Sequence, residues 1–204
     1  MSTELLPGLN VSRETEERLS ALRDLVIKWS KAINLVAPQT IDDIWNRHIL
    51  DSAQLALHAP LLNPDWVDLG SGGGFPGLVI AILRRELEVA GMTLVESDRR
   101  KSTFLRTAIR ELDLQARVEA ERIEDLPPAN ASVLSARALA PLPKLLEMAS
   151  RHLAANGRAM FLKGATRQDE ISTARRDWHF ELTERRSMTQ PEAAVLIVER
   201  IARV

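Results

Sequence analysis

Apolar residues recur with helical spacing in the first part of the chain. Residues 12–33 carry an apolar stripe at intervals of three and four, and Ser12 is placed to cap the start of this helix. The stripe consists of Leu19, Leu22, Val26, Trp29 and Ile33. A second helix is predicted from Thr40 to Ala59, and Pro60 and Pro64 then mark a linker.

From residue 66 onward, short apolar runs alternate with helical stretches. The predicted strands are Trp66–Leu69, Thr93–Glu96, Arg117–Ala120, Val133–Ala136, Ala159–Lys163, Phe180–Thr183 and Ala194–Ile201. This alternation favours a parallel sheet with helices on both faces. Only turn residues around Gln190 and Pro191 separate the last two strands, which predicts an antiparallel hairpin. The expected fold is α/β, with a mostly parallel seven-stranded sheet in residues 63–204 and a helical appendage in residues 1–62.

Composition narrows the possible functions. Of the 204 residues, 45% are hydrophobic and 27% are charged, and the net charge of -1 offers no overall attraction to nucleic acid or to an anionic membrane. The chain contains no cysteine, which excludes cysteine nucleophiles and thiolate metal sites. It shows neither a signal-peptide pattern nor a run of about 18 apolar residues. We expect a cytoplasmic protein without membrane contact, and a monomer that needs no metal.

The segment VDLGSGGGFPGL, residues 67–78, places a glycine-rich turn directly after the first strand of the predicted sheet. Such a turn exposes backbone N–H groups to a ligand. Gly72, Gly74 and Gly77 match the dinucleotide pattern G-x-G-x-x-G, with Glu96 about 20 residues further on for a ribose. A lone match of this kind is weak evidence.

A second frame, D-x-G-x-G-x-G, is formed by Asp68, Gly70, Gly72 and Gly74 and resembles the first motif of S-adenosylmethionine-dependent methyltransferases. It explains the acid at the strand end and keeps Glu96 as the ribose ligand. The roughly 140 residues after the linker are also too few for both halves of a dinucleotide fold and a substrate domain. We therefore favour S-adenosylmethionine as the ligand.

The methyl acceptor is constrained by which groups are absent. Methylation of pyrimidine carbon 5 usually needs a cysteine nucleophile, which this chain lacks. The only Pro-Pro pair, in LPPA at residues 126–129, lacks the acid or amide and the aromatic residue typical of enzymes that methylate exocyclic amines. A ring nitrogen with a free lone pair, such as guanine N7, needs positioning and no general base, and several small-molecule amines fit equally well.

Local charge is compatible with nucleic acid. Residues 99–110 include five basic side chains and no acidic one, on a helix with an apolar stripe. The basic residues are Arg99, Arg100, Lys101, Arg106 and Arg110. This face would suit RNA phosphates, and it would equally suit an ordinary solvated helix surface.

Six motifs together resemble one protein family. They are RHILDS (47–52), DLGSGGGFPGL (68–78), ESDRRKSTFL (96–105), RIEDL (122–126), SARALAPL (135–142) and FLKG (161–164). In order and spacing the chain is similar to the bacterial small-subunit ribosomal RNA methyltransferase G family, also called glucose-inhibited division protein B. The resemblance implies a class I, Rossmann-like methyltransferase fold, S-adenosylmethionine as methyl donor and S-adenosylhomocysteine as product. It also implies methylation of N7 of one guanine, conventionally numbered 527, in 16S rRNA, as naked RNA, 30S subunit or assembly intermediate.

The resemblance assigns cofactor contacts to matching positions. Gly70 and the backbone around Phe75 should hold the methionine part and the ribose, alongside the other glycines of the loop. Glu96 should accept hydrogen bonds from the ribose hydroxyls. Ile123 and Glu124 should meet the adenine.

Two candidate catalytic residues follow from the same motifs. Arg137 lies where such enzymes place the acceptor, so it is expected to hold the cofactor carboxylate or an RNA phosphate, or to donate to guanine O6. His48 is either part of the acceptor pocket wall or a satisfied core histidine, and it is not expected to act as a general base.

Four basic residues are candidates for RNA contact. Arg47 belongs to the same motif as His48, although its spacing to Asp51 also suits a simple helix ion pair. Arg106 and Arg110 lie on the basic helix. Lys163 is either a phosphate contact or a lysine whose stem packs on apolar surface. Two rival functions remain open, a small-molecule methyltransferase and a non-catalytic module that binds cofactor or RNA.

Overall fold

A computed structural model describes residues 2–59 and 64–204, and of Arg85 only the backbone. The predicted linker residue Pro60 and the predicted boundary between residues 62 and 63 lie outside the described residues. We use "appendage" for residues 2–59.

The appendage begins with a β-hairpin that the apolar pattern did not predict. Strands β1 (Ser2–Leu6) and β2 (Leu9–Ser12) pair antiparallel and lead into helix α1 (Arg13–Ser30). The predicted cap of this helix is confirmed, because Ser12 Oγ accepts a hydrogen bond from the Thr15 N–H at 3.2 Å.

The second predicted helix is present but is not a regular α-helix. After a 3₁₀ turn at Pro38–Thr40, the chain forms a π-helical segment (Trp45–Leu50), a short α2 (Asp51–Ala53) and a 3₁₀ segment (Gln54–His58). The backbone N–H of Asp51 donates to the Asn46 carbonyl, five residues back. The Gln54 side chain donates to the Asp51 carbonyl at 2.9 Å, where the short α2 passes into the 3₁₀ segment.

All seven predicted strands are confirmed and form one sheet of order β5-β4-β3-β6-β7-β9-β8. Their bounds are β3 (Asp65–Leu69), β4 (Gly91–Val95), β5 (Arg117–Glu119), β6 (Ala131–Arg137), β7 (Leu153–Lys163), β8 (Trp178–Arg186) and β9 (Ala194–Arg203). Strands β3 to β7 run parallel, while β9 pairs antiparallel with both β7 and β8. The predicted C-terminal hairpin is therefore also confirmed.

Helices cover both faces of the sheet, as expected for this class. They are α3 (Gly77–Leu87), α4 (Arg99–Glu111), α5 (Leu142–His152) and α6 (Arg167–Ala174). One apolar cluster joins α1, α3 and α4 through residues such as Leu22, Leu78 and Phe104. A second cluster joins α5 and α6 on the opposite face. No helix within the described ranges is long and apolar enough to cross a membrane.

A buried carboxylate fixes the junction between β3, α3 and β6. Asp68 Oδ2 accepts from the Gly77 N–H at 3.1 Å, at the first turn of α3, and Oδ1 accepts from Ser135 Oγ at 2.7 Å. Ser135 Oγ in turn accepts from Trp66 Nε1 at 3.0 Å. Burial raises the pKa of Asp68 to about 6, against the lowering effect of these hydrogen bonds. The glycine loop thus runs between two points that this carboxylate holds in place.

We expect Gly77→Ala to destabilise the protein, because a Cβ at this position would lie 2.6 Å from Asp68 Oδ2 and 2.9 Å from a Leu94 methyl. The free energy of unfolding in urea should fall by about 1–3 kcal/mol, as for other overpacked sites. Gly164→Ala is the matched control, since a Cβ there meets nothing within 4 Å. Equal unfolding midpoints for the two variants would contradict this account of the junction.

Candidate functional site

The glycine loop crosses the carboxyl edge of the sheet between β3 and α3. Gly70, Gly72 and Gly74 have φ angles of +64°, +53° and +89°, a region that side chains other than glycine rarely adopt. The Gly74 N–H donates to the Ser71 carbonyl at 2.7 Å, and the Ser71 N–H donates to the Val95 carbonyl at 3.0 Å. The loop is therefore a tight turn attached to the end of β4.

Glu96, directly after β4, holds the loop from the other side. Its Oε2 accepts from the Gly72 N–H and its Oε1 accepts from the Asp98 N–H, each at 2.8 Å. The side chain is buried. Each carboxylate oxygen can accept more than one hydrogen bond, so Glu96 can hold the loop and still accept from ligand hydroxyls.

A cavity of about 410 Å³ lies above this edge of the sheet. Seven of the predicted cofactor residues line it: Gly70, Gly72, Phe75, Glu96, Ile123, Glu124 and Arg137. Other lining residues were not among the predicted cofactor contacts, including Leu35 from the appendage and Met148 of α5. Lys101 of α4 also lines the cavity, although the sequence marks it only as part of the basic helix.

Two predicted cofactor residues lie outside the lining of this cavity. Asp68 is fully buried beneath the loop, where it holds Gly77 and Ser135. Gly74 faces α3, and a Cβ on it would come within 2.3 Å of Leu78 Cδ1. Both positions shape the loop from behind.

The lining fits S-adenosylmethionine. The cavity has the size of a small-molecule site. At Gly72 the space for a Cβ is open, with its nearest neighbour the Gly70 carbonyl at 3.8 Å, so a ligand can lie against the backbone. The Glu96 carboxylate suits ribose hydroxyls, and the buried Ile123 offers an apolar surface for a base.

Arg137, at the end of β6, is held by several groups. Its Nη2 donates to His48 Nδ1 at 2.7 Å, and its Nη1 donates to the Arg47 carbonyl at 3.0 Å. Nη1 also lies 3.5 Å from Asp51 Oδ2, and the guanidinium carbon lies 5.2 Å from the centre of the Phe75 ring. The Arg137 side chain is 17% exposed, so its position is set mainly by protein contacts.

His48 is buried among cations and an aromatic ring. Its ring centre lies 5.1 Å from that of Phe75, and its Nε2 lies 2.7 Å from Thr40 Oγ1. Burial, together with the charges of Arg137 and Arg47, lowers the pKa of His48 to about 3. The imidazole is therefore neutral at physiological pH.

A second cavity, of about 430 Å³, adjoins the first through the shared residues Leu35, Arg137 and Ala138. Its walls come from the appendage, from the end of β7 and from the turn between β8 and β9. The lining includes Thr40, Arg47, His48, Asp51, Arg137, Lys163 and Gln190. Three of the RHILDS residues thus meet Arg137 at this cavity.

Asp51 connects the appendage to the β8–β9 turn. Its Oδ1 accepts from Gln54 Nε2 at 2.9 Å and from Thr189 Oγ1 at 3.0 Å. The ion pair that Asp51 forms is with Arg137, and not with its helix neighbour Arg47. The sequence predicts the turn around Gln190 but does not place it or Thr40 at the site, because only tertiary contacts bring them to Asp51 and His48.

The four candidate RNA contacts fall into two groups. Arg47 and Lys163 line the second cavity, where Lys163 Nζ lies 2.5 Å from Glu170 and 3.0 Å from the Ala140 carbonyl. Arg106 and Arg110 are exposed on α4 and line neither cavity. Within the described residues, no group of three or more His, Asp or Glu side chains is placed to hold a metal ion.

The sequence of this chain matches one known protein family over most of its length. Residues 15–197 match the sequence profile of the family described as rRNA small subunit methyltransferase G. The chain is 51% identical over 205 residues to the ribosomal RNA small subunit methyltransferase G of Cereibacter sphaeroides, covering 100% of both chains.

Solved structures of lower similarity share the fold. The ribosomal protein L11 methylase of Lactobacillus delbrueckii subsp. bulgaricus aligns with a TM-score of 0.59 at 15% identity, over 74% of this chain and 77% of that chain. TYW2 of M. jannaschii, solved in complex with AdoMet, aligns with a TM-score of 0.56 at 12% identity, over 85% of this chain and 80% of that chain. The predicted class I methyltransferase fold is thereby confirmed.

We expect His48 to stay neutral between pH 8 and about pH 5, since its pKa is lowered to about 3. NMR of ¹⁵N-histidine-labelled protein should show no titration of the His48 ring nitrogens in this range. A His48 transition above about pH 5 would contradict the electrostatic account.

The same lowered pKa predicts how His48 affects stability. The unfolded chain protonates this ring near pH 6.5 and the folded protein only near pH 3, so between these values the unfolded state binds the extra proton. The free energy of unfolding should therefore fall as pH drops through this window. His48→Asn should weaken that pH dependence, while Asp68, whose raised pKa acts in the opposite direction, contributes equally to both proteins.

Proposed function

The chain belongs to the family of rRNA small subunit methyltransferase G, and we propose that it transfers a methyl group from S-adenosylmethionine to N7 of guanine 527 in 16S rRNA. The family match supports the rRNA substrate, and the pair of adjoining cavities, which share Arg137 and Ala138, is the observation that supports transfer between a bound donor and an acceptor. One has a lining suited to the methyl donor, and the other opens beside it for the acceptor base.

Residues of the first cavity are proposed to bind the cofactor. Glu96 accepts from the ribose hydroxyls, Ile123 and Glu124 meet the adenine, and the loop backbone at Gly70 and Gly72 lies along the methionine part. Asp68 and Gly74 act indirectly, because they hold the loop in its tight turn.

The chemistry requires alignment more than acid or base catalysis. When bound, S-adenosylmethionine supplies a methyl group on a sulfonium, and the guanine N7 lone pair forms the new bond as sulfur keeps the electrons of the old one. No proton moves in this transfer, so neutral His48 need not act as a base. The protein contributes by aligning the two reactants and by excluding water from between them.

Arg137 lines both cavities and lies at the boundary between them, where it is proposed to position the two reactants. Its Nη1 and Nη2 already donate to Arg47 and His48, and its Nε–H has no protein acceptor among the described residues. That free donor suits guanine O6 or the cofactor carboxylate. A donor aimed at N7 itself would block the reacting lone pair, which excludes that arrangement.

Substrate RNA is proposed to approach from the side of α4 and of the second cavity. Arg106 and Arg110 are exposed, while Phe104, Leu105 and Ala108 of the same helix are buried, so the basic face is free to meet phosphates. Arg47 is exposed at the mouth of the second cavity. Lys163 lies at the wall in an ion pair with Glu170, so it meets an RNA phosphate only by exchanging this carboxylate for it. We further propose that the protein acts as a monomer on the 30S subunit or an assembly intermediate.

The assay that tests this function offers labelled S-adenosylmethionine with naked 16S RNA, 30S subunits and 70S ribosomes from cells that lack the modification. N7-methylguanine is then mapped by reduction and aniline cleavage. We expect one cleavage site. No cleavage in all three substrates would refute the proposal, and transfer to a small amine alone would favour the small-molecule alternative.

We expect Arg137→Ala to lower methyl transfer by at least about 100-fold, a loss of about 2.7 kcal/mol of transition-state stabilisation. Arg137→Lys should recover little, because an ammonium cannot span His48 and the Arg47 carbonyl as the guanidinium does. Near wild-type turnover by Arg137→Ala would remove this residue from the site.

We expect reversal of Arg106 and Arg110 together to glutamate to reduce kcat/KM for the RNA substrate by about tenfold or more, most strongly at low salt. The Kd for S-adenosylmethionine, measured calorimetrically, should not change. Reversal of Arg176 and Arg203 is the matched control, since both are exposed beside β8, at the other end of the strand order from β5. Equal effects of the two double variants would argue that α4 is only a solvated surface.

A further inference from the structure

Three hydrogen bonds connect Arg137 to the backbone of the appendage. Arg137 Nη2 contacts His48 Nδ1 at 2.7 Å, His48 Nε2 contacts Thr40 Oγ1 at 2.7 Å, and Thr40 Oγ1 donates to the Ala37 carbonyl at 2.7 Å. All of these donors and acceptors lie at the wall of the second cavity, which Ala37, Thr40, His48 and Arg137 all line.

The chemistry of the end groups fixes the direction of every bond. A guanidinium can only donate, so His48 Nδ1 must accept with a free lone pair. The ring proton then sits on Nε2 and donates to Thr40 Oγ1. The Thr40 hydroxyl proton is used at the Ala37 carbonyl, which leaves its oxygen free to accept from His48. Only one tautomer of His48 satisfies all three contacts.

We propose that Thr40 and His48 are positioning residues, which hold the Arg137 guanidinium at the partition between the two cavities by fixing His48 in its Nε2–H tautomer. We call Thr40, His48 and Arg137 the relay. Neither Thr40 nor His48 transfers a proton. For its kinetic consequences this inference rests on the proposed methyl transfer.

The contact with His48 is the shortest that Arg137 makes. Its bond to the Arg47 carbonyl is 3.0 Å long, and its approach to Asp51 is 3.5 Å. Phe75 restricts the ring of His48 and the guanidinium on one side, with centres 5.1 and 5.2 Å away. If the other tautomer formed, two donors would face each other at Nδ1, and the guanidinium would have to leave this position.

The charged groups around His48 keep the relay intact. Arg47 and Arg137 disfavour a protonated ring, and the Asp51 carboxylate is engaged by Gln54, Thr189 and Arg137. Thr40 and Arg137 therefore select the same neutral tautomer together, because Thr40 accepts at Nε2 and Arg137 donates at Nδ1.

The first test observes the tautomer directly. In ¹⁵N-histidine-labelled wild-type protein, the His48 nitrogens should show a protonated Nε2 and an unprotonated Nδ1. Thr40→Ser should retain this pattern, and Thr40→Val, which has a similar shape without the hydroxyl, should shift it toward a mixture. A protonated Nδ1 in the wild type, or an unchanged pattern in Thr40→Val, would overturn the proposal.

The second test uses substitutions that separate the two ring nitrogens. Asparagine at position 48 places an acceptor near Nδ1 and nothing near Nε2, whereas glutamine reaches toward Nε2 and leaves Arg137 without its partner. We expect His48→Asn to keep kcat within about threefold of wild type, and His48→Gln to lower kcat by about tenfold. The opposite order would overturn the proposal.

A double-mutant cycle links Thr40 to His48. Thr40→Val should lower kcat by about fivefold to tenfold in the wild type but by less than twofold in the His48→Asn background, because Thr40 then has no ring N–H to accept. Thr40 itself lines only the second cavity, so any change in the Kd for S-adenosylmethionine has to arise through Arg137, which lines both cavities. Equal losses in both backgrounds would assign Thr40 a direct contact with substrate and contradict the relay.

Controls exclude a general structural effect. Thr173→Val removes an exposed hydroxyl that likewise bonds to a backbone carbonyl, and His179→Asn replaces an exposed histidine on β8. Both should leave kcat and the tautomer signals unchanged. The NMR experiment needs no RNA, so an inactive wild-type protein would refute the proposed function while the tautomer result still decides whether the relay exists.

Discussion

The buried carboxylate of Asp68 is the interaction on which the site depends. It joins the end of β3 to the first turn of α3 through the Gly77 N–H and to β6 through Ser135. Both ends of the glycine loop are therefore fixed, and the chain between them turns with positive φ at Gly70, Gly72 and Gly74, which glycine adopts without strain. A buried charge is costly unless it is well hydrogen bonded, and the loop geometry supplies those bonds.

Two parts of the chain build two halves of the site. The sheet and its glycine loop form the cavity suited to the methyl donor, as expected at the carboxyl edge of parallel strands. The irregular helix of the appendage brings His48 and Asp51 to Arg137 and so forms the wall of the second cavity. The π-helical turn lies at this wall, and such departures from regular geometry are common at functional sites.

Much of the fold and the donor half of the site could be predicted from the sequence alone. Periodicity located all seven strands, and the turn residues around Gln190 indicated the terminal hairpin. Ser12 was recognised as a cap because capping depends on residues three positions apart. The glycine loop directly follows one predicted strand and Glu96 ends the next one, so both can be located from local patterns. Each of these features depends on residues that are close together in the sequence, so each can be predicted without knowledge of the tertiary structure.

Only the tertiary structure shows which groups meet at the second cavity, although the motifs already name Arg47, His48, Arg137 and Lys163 as candidates. Arg137 meets His48 across 89 positions and Asp51 meets Thr189 across 138, so no spacing rule marks either pair. The same holds for Leu35, which lines both cavities, and for the relay through Thr40. Asp68 was predicted in the cofactor site by its motif, but it lies below the loop because a buried carboxylate must stay with its hydrogen-bond donors. The sequence alone determined where the strands and the glycine loop occur. Packing of the appendage on the sheet determined which side chains meet Arg137 at the second cavity, because those contacts join residues far apart in the chain.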